Sequence, residues 1–317
     1  MLWGIDIGGT KIGVTIGRPS GEVVWYEQFK TQMASSPESI LDHCVSLLKQ
    51  HSGKNSIIPD AIGICCPGPF HHQNQQFLGV PNMPRWHGFE LGKYLLKRGF
   101  KNALGMNDAN ATALAEWKWA REGHIRSLVY LTMATGMGAG LIIDDQLVTG
   151  SRGFAGEVGR ILLSNEGPVG FGARGTVEGF LSGGGIVQDA QSEVMVCRQL
   201  GETTVLQQLC ENKQLDTKSL CIAAQDGDPA ALRVTKRAAV RLGELAGIII
   251  NIIEPDEIVL GTIGSAFPEL FVPIAESVAS QRVIPEMSDV VHLRPTRLVN
   301  KSGQSALAVA SYAIDQS

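Results

Sequence analysis

Two stretches of this chain repeat one another, and the repeat constrains the fold more than any other feature. Leu2 to Gly17, LWGIDIGGTKIGVTIG, reads as a strand, a glycine turn carrying a hydroxyl and a lysine, and a returning strand. Residues 127–145, SLVYLTMATGMGAGLIIDD, run through the same series. In each, glycines (Gly8 and Gly9; Gly136, Gly138 and Gly140) free the backbone for a tight turn whose amides can face phosphate oxygens. Thr10 and Lys11 stand beside the first turn and Thr135 beside the second. A glycine turn between two strands differs from a Walker loop or a dinucleotide fingerprint, both of which lead from strand to helix. Taken alone, a glycine pair at a bend is equally well an ordinary hairpin. Two such hairpins opening two halves of a chain predict a duplicated α/β fold whose turns face one another and grip one polyphosphate. Asp6, just before the first turn, suits Mg²⁺, a hard cation that takes one or two carboxylates and otherwise phosphate and water.

A chain of 317 residues is long enough for two domains, and 44% hydrophobic with 18% charged residues describes a globular protein. The formal charge of -4 argues against nucleic acid as partner, because phosphate-backbone binding needs a concentrated basic surface. No signal-peptide pattern precedes the first strand and no run of 18 apolar residues occurs, which predicts a cytoplasmic protein with no membrane partner. Cysteines 44, 65, 66, 197, 210 and 221 show no CxxC spacing and read as reduced core thiols.

Between the hairpins, EVVWYEQFKT reads as a third strand, Ser35, Ser36, Pro37 and Glu38 start a helix, SILDHCVSLLKQH is that helix, and AIGICC is a buried strand opening into Pro67, Gly68 and Pro69. HHQNQQF, 71–77, reads as a polar, mobile insertion. Asn82 stands between prolines that fix its amide, and Asn107 and Asp108 of NDAN sit at a strand-to-helix junction, where such residues often cap. Glu157 and Glu178 flank a glycine-rich loop. Asp228 and Pro229 start a long helix ended by Pro255, and EIVLGTIGS is a buried strand opening into a further glycine turn. VVHLRPT reads as a strand and SGQSALAVASYAID as a C-terminal helix.

Together DIGGTK, PGP, PNMPRW, NDANA, TGMGAG, GEVG, VEGFLSGGGI and EPDEIVLG, in this order over nearly the whole chain, resemble the ROK family of sugar kinases. The resemblance implies the α/β two-domain actin-like ATPase fold shared by hexokinase, actin and the heat-shock chaperone ATPase. The domains expected are 1–107 plus 301–317, and 108–300. It implies ATP and Mg²⁺ as cofactors, with Asp6, Gly8, Gly9, Thr10, Lys11, Thr135, Gly136 and Gly138 around the phosphates and Gly261 to Gly264 beside adenosine. Asp108 would be the catalytic base, and Asn82, Asn107, Glu157 and Glu178 would hydrogen-bond sugar hydroxyls. A homodimer is expected. Phosphoryl transfer asks mainly for alignment, charge neutralisation and a carboxylate that receives the hydroxyl proton. A helix N-terminus beside Asp108 would favour its charged form; the alternative is that Asp108 is a simple cap.

Two positions depart from the family pattern. A structural zinc is usual in the family, held by a histidine and three cysteines, and those positions are here Arg160, Val169, Phe171 and Thr176. No zinc is therefore expected. Packing by Val169 and Phe171 would hold the loop, with Arg160 reaching the sugar or neighbouring carboxylates. The other departure is Thr262 in GTIG, which puts a side chain beside the expected base pocket. The activity implied is phosphorylation of a hexose, glucose first, at the 6-hydroxyl; N-acetylglucosamine, N-acetylmannosamine and fructose are the alternative acceptors. A catalytically inactive sugar sensor is the non-enzymatic alternative. A repressor is disfavoured, with one residue ahead of the first strand and no basic recognition helix.

Overall fold

The structure, a computed structural model, describes residues 1–31, 35–52, 59–80, 83–290 and 292–316. Strands β1 (Leu2–Ile7) and β2 (Lys11–Gly17) pair antiparallel, Leu2 opposite Gly17 and Ile7 opposite Ile12. β3 (Val23–Lys30) extends the hairpin, while β4 (Ala61–Cys66) and β5 (Ala103–Asn107) add parallel on the other side, giving the order β3-β2-β1-β4-β5. The second sheet repeats this plan. β6 (Leu128–Met133) and β7 (Met137–Ile143) form its hairpin, β8 (Gln146–Leu147) extends it, and β9 (Glu257–Leu260) and β10 (Leu293–Pro295) add parallel to β6. Its order is β8-β7-β6-β9-β10. The duplicated α/β architecture expected from the two hairpins is present strand for strand.

The helices are α1 (Pro37–His51), α2 (Leu91–Lys97), α3 (Asp108–Ala115), α4 (Val177–Leu181), α5 (Gly183–Leu200), α6 (Val205–Glu211), α7 (Thr217–Gln225), α8 (Pro229–Ile253), α9 (Thr262–Ala266), α10 (Pro268–Ser280) and α11 (Lys301–Asp315). Their starts follow local chemistry. Asp228 accepts the Ala231 amide at 2.9 Å with Pro229 in the first helical position of α8. That helix stops at Glu254, which takes a left-handed φ of +50° just before Pro255. Its Leu242, Leu245, Ala246 and Ile249, at i, i+3, i+4 and i+7, enter the core around the second sheet with Ile258 and Phe271.

Helices α3 and α11 decide how the halves meet. α11 lies on β1 and β4 of the first sheet, α3 lies on β7 of the second, and the two helices touch. The core between them is made of small residues, Ala109, Ala111, Ala113, Ala306 and Ala308 among them, together with Met106, Tyr130 and Val259. Close approach also demands glycine in the strands. A Cβ on Gly63 would come 2.2 Å from the Ala306 carbonyl, and one on Gly140 2.3 Å from the Ala109 carbonyl. Thr112 Oγ1 and Ser305 Oγ, 3.0 Å apart, link the two helices within this core.

Two expectations are corrected. Residues 71–77 are not an irregular insertion: Phe70–His71 and Gln76–Phe77 pair antiparallel, and Gln75 clasps Gly105 through Nε2 to its carbonyl at 3.0 Å and Oε1 from its amide at 2.6 Å. The glutamine amide satisfies a strand's backbone, which a composition reading cannot anticipate. Among the described residues of VVHLRPT, strand is found at Leu293–Pro295, and Pro285–Val290 form a 3₁₀ turn. Among the described residues no helix is long and apolar enough to cross a membrane.

Candidate active site

The carboxyl ends of the parallel strands bring together residues far apart in sequence. Asp6 is near the end of β1, opposite Cys65 of β4, and accepts a hydrogen bond from the Ser302 hydroxyl at the start of α11. Asp108 opens α3 directly after β5. Asn107, not Asp108, is the cap: its Oδ1 accepts the Asn110 amide at 2.9 Å. That leaves the Asp108 carboxylate facing the site, with Oδ1 accepting its neighbour Ala109's amide at 2.9 Å. The far end of the same helix is anchored by Glu116, whose buried carboxylate takes Arg294 Nη1 at 2.9 Å, the Arg297 amide at 3.2 Å and the Thr296 hydroxyl. A helix pinned at its base holds Asp108 in place at its tip.

Asp108 is reached by solvent, yet protein surrounds it closely enough for loss of water to dominate its titration. That desolvation, followed by the charge of Asp6, raises its pKa; Lys301 and the Ala109 amide pull the other way and do not win. Desolvation and the like charge of Asp6 thus oppose the pull of the helix amide toward the charged form. Burial also raises Asp6, with Ser302, Cys65 and Lys301 opposing. Two carboxyls raised together are oxygen donors suited to a hard cation shared with phosphate, so this pair fits Mg²⁺ held mainly by a nucleotide.

The glycine turns are partly occupied by their own bonds. The Gly8 amide closes the first turn on the Lys11 carbonyl at 3.0 Å and so does not face outward, and Thr31 bonds the Gly8 carbonyl through its hydroxyl at 2.7 Å. In the second turn the Met137 amide donates to Glu178 Oε2 at 3.1 Å, and a Cβ on Gly136 would sit 2.9 Å from that oxygen. Thr135 is left exposed at the tip, and Gly138 lies in β7, where a Cβ would make only ordinary contacts. At the end of β9, a Cβ on Gly261 would meet the Tyr130 hydroxyl at 2.0 Å, and one on Gly264 the Met133 sulfur at 2.8 Å. Thr262 between them holds a left-handed φ of +47° and receives Lys301 Nζ on its Oγ1 at 3.5 Å.

Glu157, Arg160 and Glu178 come together at the edge of the second sheet. Gly156 and Gly159 press against β7 at Ala139 and Met137. Buried Glu178 is raised by desolvation, opposed by the Met137 and Phe171 amides and by Arg160, while Glu157 adds like charge. Arg160 stacks its guanidinium over the Phe171 ring at 4.0 Å and points Nη1 at the Phe171 carbonyl at 3.4 Å. The positions of the family's zinc ligands do not fit a metal. Val169 and Phe171 carry no donor group, Arg160 is a cation, and Thr176 is spent as the cap of α4, accepting the Gly179 amide at 3.1 Å. Among the described residues no group of three or more His, Cys, Asp or Glu could hold a metal. The loop is not held by burial of Val169 and Phe171 either, since both side chains are more than 40% exposed. It is tied by Gln188, whose side chain bonds the Val169 amide at 3.0 Å and carbonyl at 2.9 Å, and by the Arg160–Phe171 stack.

Asn82 lies outside the described residues. Sequence reading missed Lys301, Ser302 and Tyr130, all of which border the two carboxylates. Lys301 had one signal: a lysine in the first turn of a helix opposes the macrodipole and invites an explanation. Two surface hollows of about 270 and 350 Å³, one along α8 beside Arg282 and the other at Lys101 and Tyr312, are lined by none of these groups.

Paired sheets of identical order with two helices between them define the two-domain actin-like ATPase fold. The chain belongs to the ROK family, whose model matches residues 2–311. A glucokinase of Thermotoga maritima is 28% identical over 95% of this chain and 94% of its own length. A xylose repressor of Caldicellulosiruptor bescii is 30% identical over 88% of this chain and 70% of its own length. Among solved structures, a ROK family glucokinase from Streptomyces griseus in complex with glucose and AMPPNP superposes with a TM-score of 0.78 at 23% identity, over 99% of both chains.

Proposed function

We propose that this carbohydrate kinase transfers the terminal phosphoryl group of ATP to a hexose, the 6-hydroxyl of glucose being the first choice of acceptor. The observation that carries the reading is the Asp6–Asp108 pair. Desolvation and the charge of Asp6 raise the pKa of Asp108, which makes it a stronger proton acceptor than an ordinary aspartate. Asp108 takes the proton of the attacking hydroxyl, and Asp6 with its Ser302 hydrogen bond presents oxygen to the metal of the nucleotide. When bound, Mg²⁺ supplies neutralisation of the phosphate charge. Glu157, Glu178, Arg160, the Asn107 amide and Asn82 orient the sugar. The turns at Gly8 to Lys11 and Thr135 to Gly138 flank the phosphates, and Gly261 to Gly264 borders the adenosine.

The same reading divides the chain into lobes of 1–107 with 301–317, and 108–300. They close over the substrates about the α3–α11 contact and exclude water from the transferring group. A coupled assay of ADP release across glucose, N-acetylglucosamine, N-acetylmannosamine and fructose tests it. One sugar should support turnover, and Asp108→Asn should lower kcat by at least about a hundredfold while sugar affinity changes little. Turnover by Asp108→Asn within tenfold of the wild type removes Asp108 from the role of base. Sugar binding with no ADP release from any acceptor leaves a sensor instead.

A further inference from the structure

Lys301 stands where local electrostatics argue against it. It is the first residue of α11, a fifteen-residue helix with no acidic side chain in its first turn, so the partial positive charge of the amides faces a full positive charge. Among the described residues it makes no ion pair within 4.0 Å; its ammonium reaches instead across to Thr262 Oγ1 at 3.5 Å, a long and weak bond. The span joins a helix seated on the first sheet to the turn that ends β9 of the second. Thr262 receives it from a left-handed backbone that threonine seldom takes. Asp6 and Asp108 both feel the lysine's charge.

We propose that Lys301 is a phosphate-binding residue of the nucleotide site, its ammonium taking oxygens of the terminal phosphate of a bound nucleoside triphosphate. The proposal rests on the kinase reading and adds to it. Asp6 and Asp108 face the same space, and a triphosphate entering there meets two carboxylates of its own sign. A cation beside both is what makes the space hospitable. An ammonium on a flexible stem offers three donors that turn to meet phosphate oxygens, and a 3.5 Å bond to one neutral hydroxyl is readily exchanged for charge-assisted bonds. Because Lys301 lies near Asp108 as well as Asp6, its contact falls on the group being transferred rather than on the inner phosphates. Thr262 is then the partner that parks the ammonium when no nucleotide is bound.

Calorimetric titration of wild type, Lys301→Ala and Lys301→Arg with Mg²⁺·AMPPNP and with Mg²⁺·ADP separates this role from a structural one. Lys301→Ala should bind the triphosphate analogue about 10- to 100-fold more weakly and ADP less than about threefold more weakly, the size expected of one or two charge-assisted bonds. Lys301→Arg should restore most of the loss, since it keeps the charge and the donors. Thermal melting without nucleotide should be unchanged. Equal weakening toward both nucleotides, no weakening toward either, or a lowered melting temperature with unchanged affinities marks a tether between the sheets and overturns the proposal. If the wild type itself binds neither nucleotide, the kinase reading falls and the proposal falls with it.

Discussion

Gly261→Ala should damage this protein far more than its small size suggests. The added Cβ would stand 2.0 Å from the Tyr130 hydroxyl, 2.6 Å from Cζ and 3.0 Å from Cε2, all inside ordinary van der Waals contact and the first by more than 1 Å. Neither side can give way cheaply. Tyr130 is 1% exposed in the core between the sheets, and the Gly261 amide is tied to the Leu131 carbonyl at 2.8 Å. Forcing one carbon into a filled core costs about 1–3 kcal/mol, and a clash with the hydroxyl and two ring atoms belongs at the upper end. The melting temperature should then fall by roughly 3–5 °C. The displaced turn carries Thr262, so productive nucleotide binding weakens as well. Tyr130→Phe removes the nearest clashing atom but leaves Cζ, so Gly261→Ala should cost less in that background, by about 1 kcal/mol. Denaturant unfolding of the four proteins of the cycle gives the coupling. A Gly261→Ala cost within about 0.5 kcal/mol of zero, or one equal in both backgrounds, refutes the steric argument.

With Asp108 raised by burial and by Asp6, log(kcat/KM) should rise with pH along an acid limb lying above the ordinary aspartate range, and Asp6→Asn should move that limb down. The same shift has a stability sign: between the ordinary value and the raised one the folded chain binds more protons than the unfolded, so stability contributed by Asp108 falls as pH rises through that window. Urea midpoints that climb across it contradict the assignment. Thr262→Gly should stabilise by up to about 1 kcal/mol through relief of the left-handed threonine, read from the same unfolding curves; a loss means the side chain does more than receive Lys301. Gln188→Ala should loosen the loop for about 1–2 kcal/mol, whereas a strong chelator should leave the melting temperature unchanged, and one tightly held zinc per chain by elemental analysis would overturn this account of the loop.

Much of the site was readable because its chemistry is local. The hairpins 2–17 and 128–143 announce themselves by alternation and glycine, and the start of α8 by Asp228 and Pro229. Asp108 was placed at the strand-to-helix junction where it stands, although the cap belongs to Asn107. The direction of its titration was not readable. It depends on Asp6, a hundred residues earlier, and on how much water the fold removes from both.

What the sequence determined by itself is therefore each element and its chemical endowment: strands, turns, caps, six cysteines without CxxC spacing, and a loop with no histidine or cysteine at positions 160, 169, 171 and 176. What tertiary structure decided is which of these meet. Ser302 and Lys301 reach the end of β1 only because Gly63 and a run of alanines let α11 lie tight on the first sheet. Gln188 rather than apolar burial secures the loop because α5 passes beneath Val169. Patterns of period two and 3.6 report what one element needs from its own neighbours. Contacts across nearly three hundred residues are set by packing between elements, and no local pattern encodes them.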